Sequence, residues 1–214
     1  MVQNLANHLR LMLVTDDRLL GERDPVAVCQ AAERGGVTAV QLRLKQASPR
    51  ALLDVARRLR AALRVPVIVN DRPDVARAAG CWVHLGPDDV PVSVVRSLFT
   101  QGEVIGASVG SIKEAASGEK ADYWGIGPLN GSATKLDAGP SLGIAGFRQI
   151  VAQAGGRPCI AIGGVRPEDV RPVLEAGGAG VAVVSGILAS EDVEAAVRKY
   201  LVPSTEYRVP STEN

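Results

Sequence analysis

The sequence predicts a (β/α)8 barrel, on three observations. Short apolar runs alternate with amphipathic stretches along the chain, nearly every run is continuously apolar and rich in branched aliphatics, and eight such pairs fit within 214 residues. Continuous apolar runs mark strands buried on both faces, as in parallel sheets. Eight βα units of this size close into a barrel. An open doubly wound sheet is the runner-up, but after Thr15 the chain reads DDRLLGERD, with no GxGxxG turn.

In order, the predicted strands are Leu9–Thr15, Thr38–Arg43, Pro66–Asn70, Trp82–Leu85, Val104–Ser108, Tyr123–Gly127, Pro158–Ile162 and Gly180–Val184. The helices between and after them are predicted at Pro25–Arg34, Pro49–Leu63, Pro73–Ala79, Val92–Thr100, Ile112–Ser117, Ile144–Ala154, Pro167–Ala176 and Val193–Tyr200. Pro25, Pro49, Pro73 and Pro167 open helices, where the missing N–H costs nothing. Asp24 and Ser48 precede two of them as N-caps, and Gly35-Gly36 and Gly177-Gly178 follow two others as stops.

Hydrophobic residues are 46% and charged residues 22% of the chain, which excludes a disordered polymer. Aromatics are only 3%, so Val, Ile, Leu and Ala must build the core. A formal charge of +1 offers no basic field for nucleic acid or an anionic membrane. Anions must therefore be held by a few converging groups, and small phosphorylated molecules are the expected partners. Cys29, Cys81 and Cys159 form no CxxC pair and read as reduced core thiols of a cytoplasmic protein. The start, MVQNLANHLRLMLV, reads as neither signal peptide nor membrane span. Whether copies associate into a homo-oligomer is left open. The segment VPSTE occurs at 202–206 and again at 209–213, so residues 202–214 are expected to form a flexible tail outside a single barrel of residues 1–201.

In such a barrel the site lies at the carboxyl ends of the strands. The second strand ends in Gln41-Leu42-Arg43-Leu44-Lys45, and the period of two puts Gln41, Arg43 and Lys45 on one side. A planar fork and a point charge in alternate positions suit an oligophosphate. The third strand ends in Asn70-Asp71, which could cap the next helix, and the fourth leads into HLGPDD with Asp89. One carboxylate from each of two adjacent strand ends makes a hard-oxygen site for Mg2+ shared with a substrate phosphate. Ser108 ends the fifth strand, and the sixth leads into the longest irregular stretch, with Ser132, Ala133, Thr134 and Lys135, which reads as a lid. After the seventh strand come Gly163-Gly164, and after the eighth Val184-Ser185-Gly186 opens a short helix. Together these offer backbone N–H groups to a phosphate monoester. The chain thus carries two anion sites, one built on cations and metal, the other on glycines and a helix end.

The motifs VQLRLK, VNDR, HLGPDD, GASVGS, GPLNGSATKLDAGPSLG, AIGGV and VVSGI stand in this order from Leu11 to Tyr200. In that order they resemble thiamine phosphate synthase and its relative, the thiazole tautomerase. The resemblance implies a Mg2+-dependent transferase that joins hydroxymethylpyrimidine diphosphate to thiazole phosphate and releases diphosphate. It assigns Gln41, Arg43, Lys45, Asn70, Ser108 and Lys135 to the pyrimidine diphosphate, with Arg43, Lys45, Ser108 and Lys135 serving the chemistry. Asp71 and Asp89 are implied metal ligands. Ser132, Ala133, Thr134, Gly164, Val184 and Ser185 are implied for the thiazole phosphate. The implied reaction needs no enzymic nucleophile, and no Ser-His-Asp or Cys-His arrangement is evident. Two positions depart from the family pattern. Gly110 stands where a His is common, and Asn130-Gly131-Ser132 replaces Tyr-Pro-Thr, which is expected to loosen that loop. The alternatives are the tautomerase, which uses that His as its acid–base group, and a non-catalytic binder of thiamine precursors. A ribulose-phosphate epimerase type would need histidine metal ligands, and only His8 and His84 are present.

Overall fold

The computed structural model describes residues 5–99, 102–131 and 140–201. The strands are β1 (Leu11–Val14), β2 (Ala39–Leu42), β3 (Val67–Asn70), β4 (Trp82–Leu85), β5 (Ile105–Val109), β6 (Tyr123–Ile126), β7 (Cys159–Ala161) and β8 (Gly180–Val183). Each runs parallel to the next, and β8 pairs with β1, so the sheet closes into the expected barrel. Most strands are shorter than their apolar runs because hydrophobicity reports burial, not ladder pairing. Leu9 and Val104, for example, are buried yet lie just outside β1 and β5.

The helices are α1 (Leu5–His8), α2 (Asp17–Leu20), α3 (Pro25–Gly35), α4 (Pro49–Ala62), α5 (Pro73–Ala79), α6 (Val92–Leu98), α7 (Gly143–Val151), α8 (Val170–Glu175), α9 (Ser185–Leu188) and α10 (Val193–Arg198). The Asp24 carboxylate accepts from the Ala27 N–H and the Ser48 hydroxyl from the Ala51 N–H, capping α3 and α4 as expected. Gly36 (φ 116°) and Gly177 (φ 90°) follow α3 and α8 with positive φ.

One predicted helix is corrected. Residues 112–117 form only a 3-10 turn at Ile112–Glu114. The Trp124 indole on β6 lies beneath this stretch and donates to the Gly118 carbonyl at 2.8 Å, and a Cβ on Gly118 would sit 2.6 Å from the indole nitrogen. The chain folds down over the ring in successive tight turns instead of continuing as a helix. The predicted Pro167–Ala176 helix likewise opens as a 3-10 turn over Pro167–Asp169. The four-residue helices α1 and α2 show no periodicity in the sequence and were not predicted. The tail at 202–214 lies outside the described residues.

Alternation along the strands splits the core in two. Leu11, Leu13, Val40, Leu42, Val67 and Val69 point outward and pack beneath the helices. Met12, Val14, Ala39, Ile68, Tyr123, Ile160 and Ala182 fill the barrel interior. Nearer the carboxyl ends the inward positions turn polar: Gln41, Asn70, His84 and Ser108, with Asn70 opposite His84 in register. Position in the ladder thus decides which polar groups converge. All three cysteines are free and buried, and burial pushes the Cys29 thiol up to about 12 and Cys81 up to about 11, so neither is a nucleophile.

Closure of β8 on β1 depends on a missing side chain. A Cβ on Gly180 would lie 2.2 Å from the Leu9 carbonyl oxygen and 2.3 Å from that of Arg10. Main chain cannot swing aside as a rotamer can. Gly180→Ala is therefore expected to cost about 1–3 kcal/mol of stability in chemical denaturation; an unchanged midpoint would show that the seam yields freely.

Candidate active site

Two strand ends meet at the first seam. The Arg43 N–H donates to Thr15 Oγ1 at 2.8 Å, and that hydroxyl donates back to the Arg43 carbonyl at 3.2 Å. Arg43 Nη1 is 2.9 Å from Asp16 Oδ2, while the other Asp16 oxygen caps α2 through the N–H groups of Arg18 and Leu19. Asp16 is buried, so the guanidinium plane is fixed before any ligand arrives. This partner was missed in the sequence, where the stretch after Thr15 served only to exclude a dinucleotide turn. An Asp immediately after a barrel strand was the available signal.

Gln41 and Asn70 brace one another, the Gln41 amide donating to Asn70 Oδ1 at 2.9 Å. Lys45 reaches across to Asp71, Nζ to Oδ2 3.1 Å, and its own N–H donates to Asp17 Oδ2 at 2.7 Å. Among the described residues, Asp71 is the one non-glycine with positive φ, at 65°. Backbone in that region is strained, although Asp tolerates it better than most residues, and such strain gathers at functional sites. The Asp71 N–H donates to the His84 carbonyl at 2.9 Å, tying the strained residue to β4. The capping alternative for Asp71 does not hold, because Arg72 occupies the cap position of α5 and no side chain caps it.

Asp89 accepts from the Gly86 N–H at 2.6 Å and faces Asp71. Burial, and then hydrogen bonding and repulsion from the Asp71 carboxyl, push the Asp89 carboxyl up to about 6, although Gly86 and Lys45 favour its charge. The two carboxylates from adjacent strand ends are thus brought together beside Lys45. Ser108 Oγ lies 3.0 Å from His84 Nε2, and His84 Nδ1 lies 2.9 Å from the Tyr123 hydroxyl. A serine–histidine contact is therefore present, but its third member is a phenol and not the carboxylate of a Ser-His-Asp arrangement. His84 and Tyr123 were overlooked as site-lining residues, though both stand at inward positions of the strand period.

On the opposite side, Gly163 (φ 88°) and Gly164 (φ 63°) lay the loop after β7 against the segment after β6. A Cβ on Gly164 would be 2.6 Å from the Gly131 carbonyl oxygen. The Asn130 amide donates to the Gly164 carbonyl at 3.1 Å and to Asp169 Oδ2 at 2.8 Å. Asn130 itself is thus pinned twice, while the loop from Ser132 onward, where loosening was expected, lies outside the described residues. Val184 precedes α9 and Ser185 begins it. Ser132, Ala133, Thr134 and Lys135 lie outside the described residues. At Gly110, the N–H donates to Glu114 Oε2 at 2.8 Å, and a Cβ would meet the Gly127 carbonyl oxygen at 3.2 Å and that carboxylate oxygen at 3.3 Å. Glu114 crowds the place where a residue-110 side chain would start.

With this geometry in view, comparison with known proteins is informative. The family profile described as thiamine monophosphate synthase matches residues 11–187. The thiamine-phosphate synthase of Azorhizobium caulinodans is 44% identical over 196 residues, covering 89% of this chain and 92% of that protein. That of Chloroflexus aurantiacus is 43% identical over 196 residues, covering 89% and 90%. Among solved structures, the thiamine phosphate pyrophosphorylase from Pyrococcus furiosus superposes with a TM-score of 0.82 at 36% identity, covering 92% of this chain and 96% of that one. A 3-hexulose-6-phosphate synthase, at 16% identity and a TM-score of 0.67, shares the fold alone. The chain belongs to the thiamine monophosphate synthase family.

Proposed function

We propose that the chain condenses 4-amino-5-hydroxymethyl-2-methylpyrimidine diphosphate with thiazole phosphate to give thiamine phosphate and diphosphate. The observation that carries this reading is the pairing of Asp71 with Asp89 beside Lys45 and Arg43, a mixed-charge mouth made for a metal-bound diphosphate. The Asp71 carboxyl disfavours ionisation of Asp89, a repulsion that a divalent cation between the two would relieve. Asp71 and Asp89 would be the chain's share of a Mg2+ shell, and diphosphate oxygens and water would supply the rest, as is usual for this ion. When bound, Mg2+ neutralises charge on the diphosphate.

The remaining roles are assigned as the resemblance implies, with Ser132, Ala133, Thr134 and Lys135 outside the described residues. Arg43 and Lys45 take further diphosphate charge as the C–O bond breaks and its electron pair leaves with diphosphate. The pyrimidine methylene is left as a cation delocalised into the ring, and the thiazole nitrogen lone pair forms the new C–N bond. Gln41 and Asn70, braced at 2.9 Å, hold the pyrimidine end, while Ser108 is assigned to the diphosphate. Gly164, Val184 and Ser185 hold the thiazole phosphate from the far side, with Ser132, Ala133 and Thr134, and Lys135 completes the diphosphate clamp. The enzyme's work is thus charge neutralisation and face-to-face placement. Among the described residues, none matches the acid–base group that a tautomerase would require at position 110. No described helix is long and apolar enough to cross a membrane.

The direct test mixes both substrates with Mg2+ and assays thiamine phosphate and diphosphate; absence of both products sinks the reading. Arg43→Ala is expected to lose about 2–4 kcal/mol of transition-state stabilisation, as for a lost electrostatic donor. A fall in kcat/KM smaller than tenfold would remove Arg43 from the diphosphate clamp. Asp89 gives a test without turnover. Its folded pKa of about 6 lies above the ordinary value of 3.8, so stability falls as pH rises through that window. Asp89→Asn should therefore raise the melting temperature of the metal-free protein at pH 8 and change it little at pH 4. Added Mg2+ should stabilise the native protein at pH 8 more than the variant, and equal responses would argue against Asp89 as a ligand.

A further inference from the structure

Three side chains inside the barrel form a hydrogen-bonded line that the reaction as described does not use. The Tyr123 hydroxyl lies 2.9 Å from His84 Nδ1, and His84 Nε2 lies 3.0 Å from Ser108 Oγ. Tyr123 is fully buried and His84 is 7% exposed, so the line runs from the dry interior up to the mouth. Neighbouring strands make room for it by omitting side chains. A Cβ on Gly106 would fall 2.2 Å from Tyr123 Cζ and 2.5 Å from His84 Nδ1, and one on Gly125 would fall 3.1 Å from His84 Cε1. Two inward positions that could carry packing residues are given over to this line.

Counting protons sets its direction. A buried phenol has one proton and needs an acceptor for it. Burial, aided by the nearby Asp122 carboxylate, pushes the Tyr123 hydroxyl far above its ordinary value, so the proton stays on oxygen. Among the described residues, the acceptor within reach is His84 Nδ1. Nδ1 must then present its lone pair, which puts the ring proton on Nε2. His84 accordingly donates to Ser108, and Ser108 keeps its own proton to offer elsewhere.

We propose that Tyr123 and His84 are positioning residues that fix Ser108 as a hydrogen-bond donor toward the diphosphate of the pyrimidine substrate. The proposal rests on the placement of Ser108 beside that diphosphate. In the opposite tautomer, Ser108 would donate inward and turn its lone pairs toward an anion. The orientation of two internal hydrogen bonds thus decides whether Ser108 attracts or repels the leaving group, with no change in its position.

The tautomer can be read directly by nitrogen NMR of histidine-labelled protein without substrate. The chain has two histidines, and a His8→Gln variant assigns their signals. The expected result is a lone-pair-type Nδ1 and a protonated Nε2 for His84; a protonated Nδ1 overturns the proposal. This measurement uses the native chain, so it decides even if the buried variants fail to fold. Kinetically, Tyr123→Phe should lower kcat about 10- to 100-fold, the usual effect of losing a supporting partner, while KM for thiazole phosphate stays unchanged. His84→Gln, whose amide can still donate to Ser108, should retain more kcat than His84→Leu. A Tyr123→Phe enzyme within twofold of native kcat, or equal loss in both His84 variants, would overturn the relay. The tautomer is measured without turnover, so a native protein that makes no thiamine phosphate would sink the proposed reaction by a separate result.

Discussion

Asp71 and Asp89 are held together where burial already disfavours the charge of Asp89, and much of the mouth is organised around that conflict. Lys45 offsets part of it from one side, and the Gly86 N–H offsets part from another. Asp71 reaches its place only by adopting a strained backbone, which its N–H bond to the β4 carbonyl helps to hold. A fold that selected for stability alone would have replaced either acid by a neutral side chain. Their retention makes sense if the conflict is resolved on binding, when a cation meets the carboxylates and a polyanion meets Lys45. The Lys45–Asp71 pair is then a resting arrangement, with both members able to exchange partners at low cost because each is already partly exposed.

Arg43 is a contrasting case. Its partner Asp16 is buried and doubly engaged, capping α2 while pairing with the guanidinium. Exchange there would strand a buried carboxylate, which is expensive. Arg43 therefore serves best as a fixed fork that keeps Asp16 and offers its remaining N–H groups outward. The two cations after the same strand thus differ in kind: Lys45 is half-exposed and pairs with a part-exposed acid, whereas Arg43 is held by Thr15 and the buried Asp16.

The barrel was readable in the sequence because buried parallel strands leave continuous apolar runs, and proline and capping residues mark where helices begin. What could not be read were features set by contacts distant in sequence. The turn at residues 112–117 has helical composition, yet the Trp124 indole takes its place beneath the chain. The same holds at the site. Arg43, Lys45, Asp71 and Asp89 stand at strand ends, where position alone suggests a role. Asp16 acquires its role from Arg43 beyond the next strand, and Tyr123 from His84 two strands away, so strand position marks them as candidates but their partners are set by contacts distant in sequence. The anchors of Asn130, Gly164 and Asp169, likewise follow the next strand.

The two departures from the family pattern also become intelligible as packing. At Gly110, the Glu114 carboxylate closes over the backbone N–H and takes up space that a larger residue would need. Removing that side chain takes away the acid–base group of a proton-moving relative, but a reaction driven by departure of a stabilised anion has no use for it. What such a reaction needs is donors aimed at the anion. On the proposed reading the mouth supplies these as Arg43, held by the buried Asp16, as Lys45, paired with the part-exposed Asp71, and as the Ser108 hydroxyl beside His84. The reading thus asks nothing of a side chain at position 110, while it draws on groups whose partners are already in place.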